Sequence, residues 1–536
     1  MDSWDYIIVG AGSAGCVLAN RLSVDPAVNV LLVEAGGDDR SPYVQIPAAL
    51  IKAVGNPNFD WCHLAEPDAS RHNKVDLWPA GKTLGGSSSI NGMLFVRGAR
   101  YDFDHWAALG NPGWSYADVL PYFKRLESAP IEDASTRGAE GPMRVARLRT
   151  MHPLGPVFLA AAQECGLPLN VDYNGADNEG AGEPQVTQSR GWRWSTARGY
   201  LRPAMRRANL QVLKRSFARR LLFEAGRCVG VEVERAGEVT RYQAHAEVVV
   251  AAGTLGSPQL LMLSGIGSGS HLQAHGIPVL VDRSAVGANL REHANSLVCA
   301  DVNLRTYNAE ISSPRIVMHL ANWLLFGRGP ATSPYPHAVA FLRSTAEEPQ
   351  PDVQMLFGPF AFNFDERGIV PNKKPAVSLV VNACRPNARG RVRLRSADPH
   401  HHPLIEHALL DDAEDMRRQI AGCRFARRIL QTAAFQPYIV REYLPGLQTE
   451  TDAQWSDAIR RTTFLGYHPI GTCRMGSDPN AVVNSALCVN GIAGLRVVDA
   501  SVMPSHIAAN TNAATMMIAE KAADLILAAG RMAKAA

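Results

Sequence analysis

The chain of 536 residues is long enough for two to four domains of ordinary size, roughly 100 to 200 residues each. Its 46% hydrophobic and 19% charged residues are ordinary for a globular protein and exclude a disordered or fibrous chain. Lys and Arg together number 54 against 50 for Asp and Glu, so net charge predicts no nucleic-acid partner.

Cysteine usage and the N-terminus indicate the compartment. The nine cysteines are scattered and form no Cys-x-x-Cys pair, which argues against a disulfide framework or a zinc site and fits a reducing environment. The N-terminus lacks the features of a signal peptide, and no stretch reaches the ~18 to 20 apolar residues that cross a bilayer. We therefore expect a cytoplasmic protein, in peripheral contact with the inner membrane at most.

The N-terminus predicts a βαβ unit that binds a dinucleotide. Strand Tyr6–Val9, the turn Gly10-Ala11-Gly12-Ser13-Ala14-Gly15, helix Cys16–Leu22 and strand Val30–Val33 follow in order, and Glu34 ends the second strand. The first glycine permits a tight turn, the second admits a pyrophosphate, and the third lets the helix pack on the strand. Glu34 would accept the ribose hydroxyls, with capping of a helix as its alternative role. The motif alone does not separate NAD from FAD.

A glycine-rich loop follows, centred on Trp78 to Gly92. Gly81-Lys82-Thr83 is not a P-loop, because Asp76 stands where the first glycine is required. The chain also lacks the Gly-x-Ser-x-Gly of a hydrolase elbow. A long loop inside a folded chain is usually functional, and its many backbone N–H groups suit an extended anionic ligand better than a linker.

The middle of the chain predicts a β-meander that returns to a central sheet. Short strands are expected at Leu210–Lys214, Arg220–Glu224, Val229–Glu234 and Thr240–Ala244, followed by a buried strand over Glu247–Gly253 and a helix over Leu255–Leu263. The aromatic segment from Asp301 to Leu465 predicts a separate substrate domain, with Phe357, Phe360 and Phe362 as candidates for its pocket and core packing as their more common alternative role. Strand Leu495–Val498 and helix Met516–Ala528 return the chain to the first domain.

Four blocks of sequence together resemble the glucose-methanol-choline (GMC) oxidoreductases, from Tyr6 to about Leu527. They are the Gly10 turn, the loop from Gly81 to Asn91, the run Ala252-Gly253-Thr254-Leu255-Gly256-Ser257-Pro258, and the region of His468 and Asn510. The chain is most similar to bacterial FAD-dependent primary-alcohol dehydrogenases, such as those acting on aliphatic alcohols, polyethylene glycol or choline.

The resemblance implies a mixed α/β fold, with a Rossmann-like FAD-binding domain and an inserted substrate domain built on an antiparallel sheet. We assign residues 1–150, 205–300 and 466–536 to the FAD domain and residues 151–204 and 301–465 to the substrate domain. By the same resemblance the FAD contacts are Gly10, Gly12, Ser13, Ala14, Gly15, Glu34, Ala35, Trp78, Leu84, Gly85, Gly86, Ser87, Ser88, Asn91, Gly92, Ala218, Ala252, Gly253, Asp499, Ala500 and Asn512.

The resemblance also bears on how FAD is held. Some choline-oxidising members bond the flavin covalently through a histidine just before the asparagine of the glycine-rich loop. Ile90 occupies that position here, and an alkyl side chain cannot form the bond. We expect noncovalent FAD.

Alcohol oxidation needs a base for the hydroxyl proton and a donor for the developing oxygen charge. Neutral imidazole and carboxamide groups suit these tasks, and by resemblance His468 is the base and Asn510 its partner. A turn role is the alternative for Asn510. The electron acceptor is open between dioxygen, a quinone and another carrier.

Three further points concern metal binding, the substrate and alternative functions. His400-His401-His402 lies between prolines and predicts a solvated turn, so we assign no metal. The low charge of the aromatic segment favours a neutral, fairly apolar alcohol over choline. Alternatives to alcohol oxidation are a light-driven fatty-acid decarboxylase, a cyanohydrin lyase and a noncatalytic flavin-binding protein.

Overall fold

The first of two large sheets is built around the N-terminal βαβ unit. The computed structural model describes residues 3–130, 133–311, 313–365 and 368–535. In spatial order the strands of the first sheet are Leu210–Leu213, Val30–Val33, Ser3–Val9, Glu238–Val250, Arg227–Arg235 and Phe217–Glu224, with Leu495–Val497 also paired to Glu238–Val250. The predicted strand Val30–Val33 is present with the same bounds, and all four of its residues are buried.

Two details of the predicted meander are wrong. Leu210–Leu213 pairs in parallel with Val30–Val33, so it belongs to the central sheet. The two strands predicted between Thr240 and Gly253 form one strand, Glu238–Val250. Its first half is antiparallel to Arg227–Arg235 and its second half is parallel to Ser3–Val9. The sequence predicted two strands because the first part of this strand is exposed and its end is buried, with polar residues between two apolar runs.

The second sheet is antiparallel throughout. Its strands in spatial order are Ile439–Leu444, Ala294–Val302, Ala376–Ala383, Val353–Gly358, Ala338–Leu342 and Gly180–Gly182, with Phe464–Leu465 also paired to Ala294–Val302. Ala376–Ala383 and Val353–Gly358 are buried along their whole length, because helix Ala413–Leu430 packs across them. Ala294–Val302 crosses the predicted domain boundary at residue 300.

Helices surround both sheets. The longer ones are Ser13–Leu22, Arg100–Ala108, Tyr116–Leu126, Leu154–Glu164, Gly253–Leu263, Ile316–Phe326, Ala413–Leu430, Asp452–Thr462 and Asn512–Ala535. Shorter ones are Pro42–Gln45, Leu50–Ala53, Arg202–Ala204, Gly269–Ala274 and Tyr307–Ile311. The C-terminal helix packs against Ser13–Leu22, so the end of the chain does return to the first sheet. Among the described residues no helix is long and apolar enough to span a bilayer.

The space around each glycine of the N-terminal turn explains its role. Gly10 has φ +101°, and a Cβ atom there would lie 2.4 Å from the carbonyl oxygen of Ala251. A Cβ atom on Gly15 would lie 1.8 Å from the carbonyl oxygen of Gly10. Gly12 differs, because the nearest atom to its added Cβ is Cα of Gly86 at 4.0 Å. Gly10 and Gly15 therefore serve the packing of strand and helix, while Gly12 leaves open space.

Gly15→Ala should lower the free energy of unfolding by more than about 2 kcal/mol, because the methyl group overlaps backbone that cannot move independently. Gly12→Ala is the matched control and should change it by less than about 0.5 kcal/mol. Urea unfolding of the ligand-free proteins, followed by far-UV circular dichroism, measures both. Equal stability of the two variants would contradict this packing.

Candidate active site

One cavity of ≈ 1210 Å³ runs between the two sheets and brings most of the predicted site residues together. Of these residues, Gly10, Gly12, Ser13, Ala14, Glu34, Ala35, Gly86, Ser87, Asn91, Gly92, Ala218, Ala252, Gly253, His468, Asp499, Ala500, Asn510 and Asn512 line it. Gly15, Trp78, Leu84, Gly85 and Ser88 lie outside the lining. Trp78 is buried with its ring 5.1 Å from that of His407, and Ser88 Oγ donates to the carbonyl of Gly85 at 2.6 Å.

The glycine turn and the glycine-rich loop touch each other at one end of the cavity. A Cβ atom on Gly86 would lie 2.6 Å from Cα of Gly12, so Gly86 has no room for a side chain toward the N-terminal turn. Glu34 is buried beside them and accepts hydrogen bonds from the backbone N–H groups of Ala11 at 2.8 Å and Gly36 at 2.7 Å. Burial raises the pKa of Glu34 to about 7, against the effect of these two hydrogen bonds.

Asp499 and Asn512 of the C-terminal segment form hydrogen bonds with residues at the glycine end of the cavity. Asp499 accepts from the backbone N–H of Gly253 at 2.9 Å and from Ser257 Oγ at 2.5 Å. Ser13 Oγ donates to Asn512 Oδ1 at 2.6 Å, which joins the N-terminal turn to the start of the last helix. Residues distant in sequence therefore close the cavity around the glycine loops.

His468 and Asn510 meet at the other end of the cavity. Asn510 Nδ2 lies 2.8 Å from His468 Nε2, and both residues face the cavity. Gln354 Nε2 donates to Asn510 Oδ1 at 3.4 Å, which places the amide nitrogen of Asn510 on the side of the imidazole. Asn510 therefore donates to His468 Nε2, so this nitrogen carries a lone pair.

His293, which the sequence analysis missed, explains why His468 holds that tautomer. His293 Nε2 lies 2.8 Å from the carbonyl oxygen of Cys384, and a carbonyl only accepts, so this nitrogen carries the proton. His293 Nδ1 is then an acceptor for His468 Nδ1, 3.0 Å away. With its proton on Nδ1, His468 presents an unprotonated Nε2 to the cavity.

Two more residues hold the backbone of His468. Glu292 accepts from the backbone N–H of His468 at 2.8 Å and from that of His293 at 2.7 Å. Burial raises the pKa of Glu292 to about 8 despite these hydrogen bonds. His506 Nε2 lies 3.0 Å from the carbonyl oxygen of His468, and its ring centroid is 3.7 Å from that of His293.

The imidazoles of the cluster are neutral near pH 7. Burial lowers the pKa of His468 well below its ordinary value, and proximity to His293 lowers it further. Burial also lowers the pKa of His293 to about 4 and that of His506 well below its usual range. A neutral His468 is the form that can accept a proton.

Neutral side-chain amides form the hydrogen-bonded network that leads to Asn510. Asn382 Nδ2 donates to Gln354 Oε1 at 3.2 Å and lies 3.3 Å from Asn295 Oδ1. These contacts fix the side chain that orients Asn510. None of these groups carries a formal charge, so they orient Asn510 without competing for the proton that His468 takes up.

Aromatic side chains form much of the remaining lining. They are Tyr43, Trp61, Phe217, Tyr307, Tyr335, Phe360, Phe362, Phe464 and Tyr467. Of the predicted pocket phenylalanines, Phe360 and Phe362 face the cavity. Phe357 is fully buried between Phe158 and Phe435, so this residue takes the alternative role of core packing. The strand Val353–Gly358 explains the difference, because its alternate side chains point away from the cavity into the second core.

Comparison with known proteins places the chain in a family. The family model described as GMC oxidoreductase matches residues 4–295 and 386–519 in its N- and C-terminal parts. The chain belongs to this family, which confirms the predicted family and fold. It is therefore an FAD-dependent oxidoreductase of the class that acts on CH–OH donors.

Several individual proteins are similar over nearly their whole length. The oxygen-dependent choline dehydrogenase of Rhizobium rhizogenes is 41% identical over 99% of this chain and 96% of its own. Pyridoxine 4-oxidase from Mesorbium loti is 30% identical, with a TM-score of 0.89 over 97% of this chain and 98% of its own. A formate oxidase is 26% identical, with a TM-score of 0.91 over 99% of both chains.

The glycine end of the cavity fits the FAD that this family uses. Gly12 and Gly86 line the cavity without side chains, Lys82 and Arg215 also line it, and Glu34 stands at the end of the second strand. This combination of close backbone, cations and a carboxylate suits a dinucleotide with its pyrophosphate and ribose.

We expect His293→Ala to slow substrate-dependent flavin reduction roughly tenfold to a hundredfold, because His468 loses the acceptor that fixes its tautomer. His293→Asn should recover part of the rate, since its amide oxygen can accept from His468 Nδ1. The measurement is anaerobic stopped-flow absorbance over a range of pH.

The pH profile separates this positioning role from general damage. The rate requires neutral His468 and is lost as pH falls through its pKa, which lies below 6.5 in the intact protein. Removing His293 also removes a cause of that lowering, so the acid limb should move to higher pH in His293→Ala. An unchanged acid limb with an unchanged rate would contradict the role of His293.

Proposed function

We propose that the protein oxidises a primary alcohol to the aldehyde, with His468 as the base. The observation that carries this proposal is the unprotonated Nε2 of His468, which faces the cavity beside the amide of Asn510. A substrate hydroxyl placed between the two side chains replaces their direct hydrogen bond, donates its proton to His468 Nε2, and accepts from Asn510 Nδ2 as negative charge develops on its oxygen.

Protein groups and cofactor divide the reaction. When bound, FAD supplies the acceptor for the hydride from the carbinol carbon. The alcohol thus loses a proton to His468 and a hydride to the acceptor, and the product is the aldehyde. The buried contacts of His293 and Glu292 hold His468 in place during proton transfer.

We infer that FAD is held without a covalent bond. Ile90 lines the cavity at the position that bears a linking histidine in some choline-oxidising members. The cysteines of the chain, which are all described and free, do not contribute to the cavity lining either. Dissociable FAD follows from the chemistry of these side chains.

The lining supports a neutral, fairly apolar alcohol. Its carboxylates among the described residues are Glu34, Asp499 and Glu310, and the first two are bonded to backbone at the glycine end. Glu310 accepts from Arg305 and from His319 Nε2, and these contacts lower its pKa although partial burial would raise it. Glu310 is therefore ionised and already paired with a cation, while aromatic rings supply an apolar surface.

Choline is the second candidate substrate. The 41% identity to the choline dehydrogenase of Rhizobium rhizogenes favours it. The aromatic lining could also contact a quaternary ammonium group through cation–π interactions. Dioxygen, a quinone or another carrier would take the electrons, and the ratio of hydrogen peroxide to aldehyde formed distinguishes dioxygen from the others.

Anaerobic addition of a medium-chain or benzylic primary alcohol should bleach the oxidised-flavin spectrum of the purified protein. His468→Ala should keep the bound flavin and reduce the rate by about 10² to 10⁴. Faster reduction by choline than by every neutral alcohol would contradict the neutral-substrate proposal. A spectrum that no alcohol bleaches would contradict alcohol oxidation and point to decarboxylase or lyase chemistry.

Acid precipitation should release the flavin into the supernatant with an unchanged FAD spectrum, because Ile90 offers no atom for a covalent link. The matched variant Ile90→His tests whether the position can form the bond. Yellow colour that stays with the precipitated wild-type protein would contradict noncovalent binding.

A further inference from the structure

Helix Ile316–Phe326 turns its apolar side outward. Val317, Leu324 and Leu325 are 71%, 64% and 71% exposed, and Ile316, Met318, Leu320 and Phe326 are exposed as well. Surface helices of globular proteins usually bury their apolar face and expose their polar one. This helix does the reverse, so its exposed face is suited to an apolar environment.

The polar and aromatic side chains of the same helix are used to attach it to the protein. His319 Nε2 lies 2.7 Å from Glu310 Oε2. Trp323 is 6% exposed, donates from Nε1 to the carbonyl of Gly191 at 2.8 Å, and packs against Trp192. Arg149 Nε donates to the carbonyl of Gly327 at the C-terminal end. The helix is therefore firmly seated, and its outward apolar face is a feature of the folded protein.

The charged residues that flank this helix are arginines, while the acid nearest to it, Glu310, is already paired with Arg305 and His319. Residues 311–346 contain no Asp or Glu. Arg315 and Arg328 flank the helix, both are exposed, and neither makes an ion pair within the described part of the chain. Ile51 and Lys52 of the first domain are exposed and line the active-site cavity, which residues of this helix also line.

We propose that this face, comprising helix Ile316–Phe326 with Arg315 and Arg328, docks on a bilayer surface that contains anionic lipids. Apolar side chains flanked by arginines fit the boundary between acyl chains and anionic headgroups. A second copy of the chain fits less well, because two-fold pairing would bring arginines together without acids from this segment. Ile316, His319 and Leu320 also line the cavity, so docking places the cavity mouth at the lipid.

Flotation of the full-length holoprotein with phosphatidylcholine vesicles, with and without phosphatidylglycerol, tests the proposal independently of the substrate. The wild type should float with the phosphatidylglycerol vesicles. The triple variant Val317→Ser, Leu324→Ser, Leu325→Ser should bind more than about a hundredfold more weakly. Arg315→Gln with Arg328→Gln should bind about thirtyfold more weakly and lose most of its salt dependence.

The control variant Val24→Ser, Leu64→Ser, Leu447→Ser removes equally exposed apolar side chains outside this helix and should float like the wild type. Flavin absorbance and turnover of a water-soluble alcohol should be unchanged in both serine variants, because none of the six residues lines the cavity. The proposal is overturned if the wild type fails to float, or if the helix variant floats like the control. It is equally overturned if the face instead forms a dimer, lost in the helix variant, without vesicle binding.

Discussion

The contact between the two imidazoles of His293 and His468 is the interaction on which the site depends. A carbonyl oxygen, that of Cys384, fixes the proton of His293 on Nε2, and this in turn fixes the proton of His468 on Nδ1. A backbone group in the second sheet thus sets the protonation of an atom that faces the substrate. Because the carbonyl oxygen of Cys384 can only accept, it determines which nitrogen of His293 donates and therefore which nitrogen of His468 carries the proton.

This contact requires two segments that lie far apart in the chain to approach closely. A Cβ atom at Gly466 would lie 2.6 Å from Cβ of His293 and 3.1 Å from His468 Nδ1, so a side chain there would push the rings apart. Strand Ala294–Val302 carries His293 at its start and pairs with Phe464–Leu465, just before His468. The sheet register therefore brings the two histidines together, and the C-terminal segment adds Asn510 from the first domain.

Features whose residues lie close together in the chain could be predicted from the sequence. The N-terminal turn could be predicted because strand, glycine spacing and terminal acid lie within a few dozen residues, and Val30–Val33 was placed with its observed bounds. His293 and Glu292 could not, since their role depends on contacts with residues about 175 positions away in the chain. The available signal was an acid followed by a histidine immediately before a strand, a pattern too common to indicate a role.

Burial explains both the chemistry of the site and what surrounds it. Removing three imidazoles from water keeps them neutral, which suits His468 to accept a proton, but it also demands that every ring nitrogen find a partner. The partners are carbonyls, amides and other imidazoles, so each ring nitrogen is hydrogen-bonded without a charge at His468 Nε2. The negative charge that develops on a substrate oxygen as its proton leaves would then meet the N–H donor of Asn510, whose orientation is set in advance.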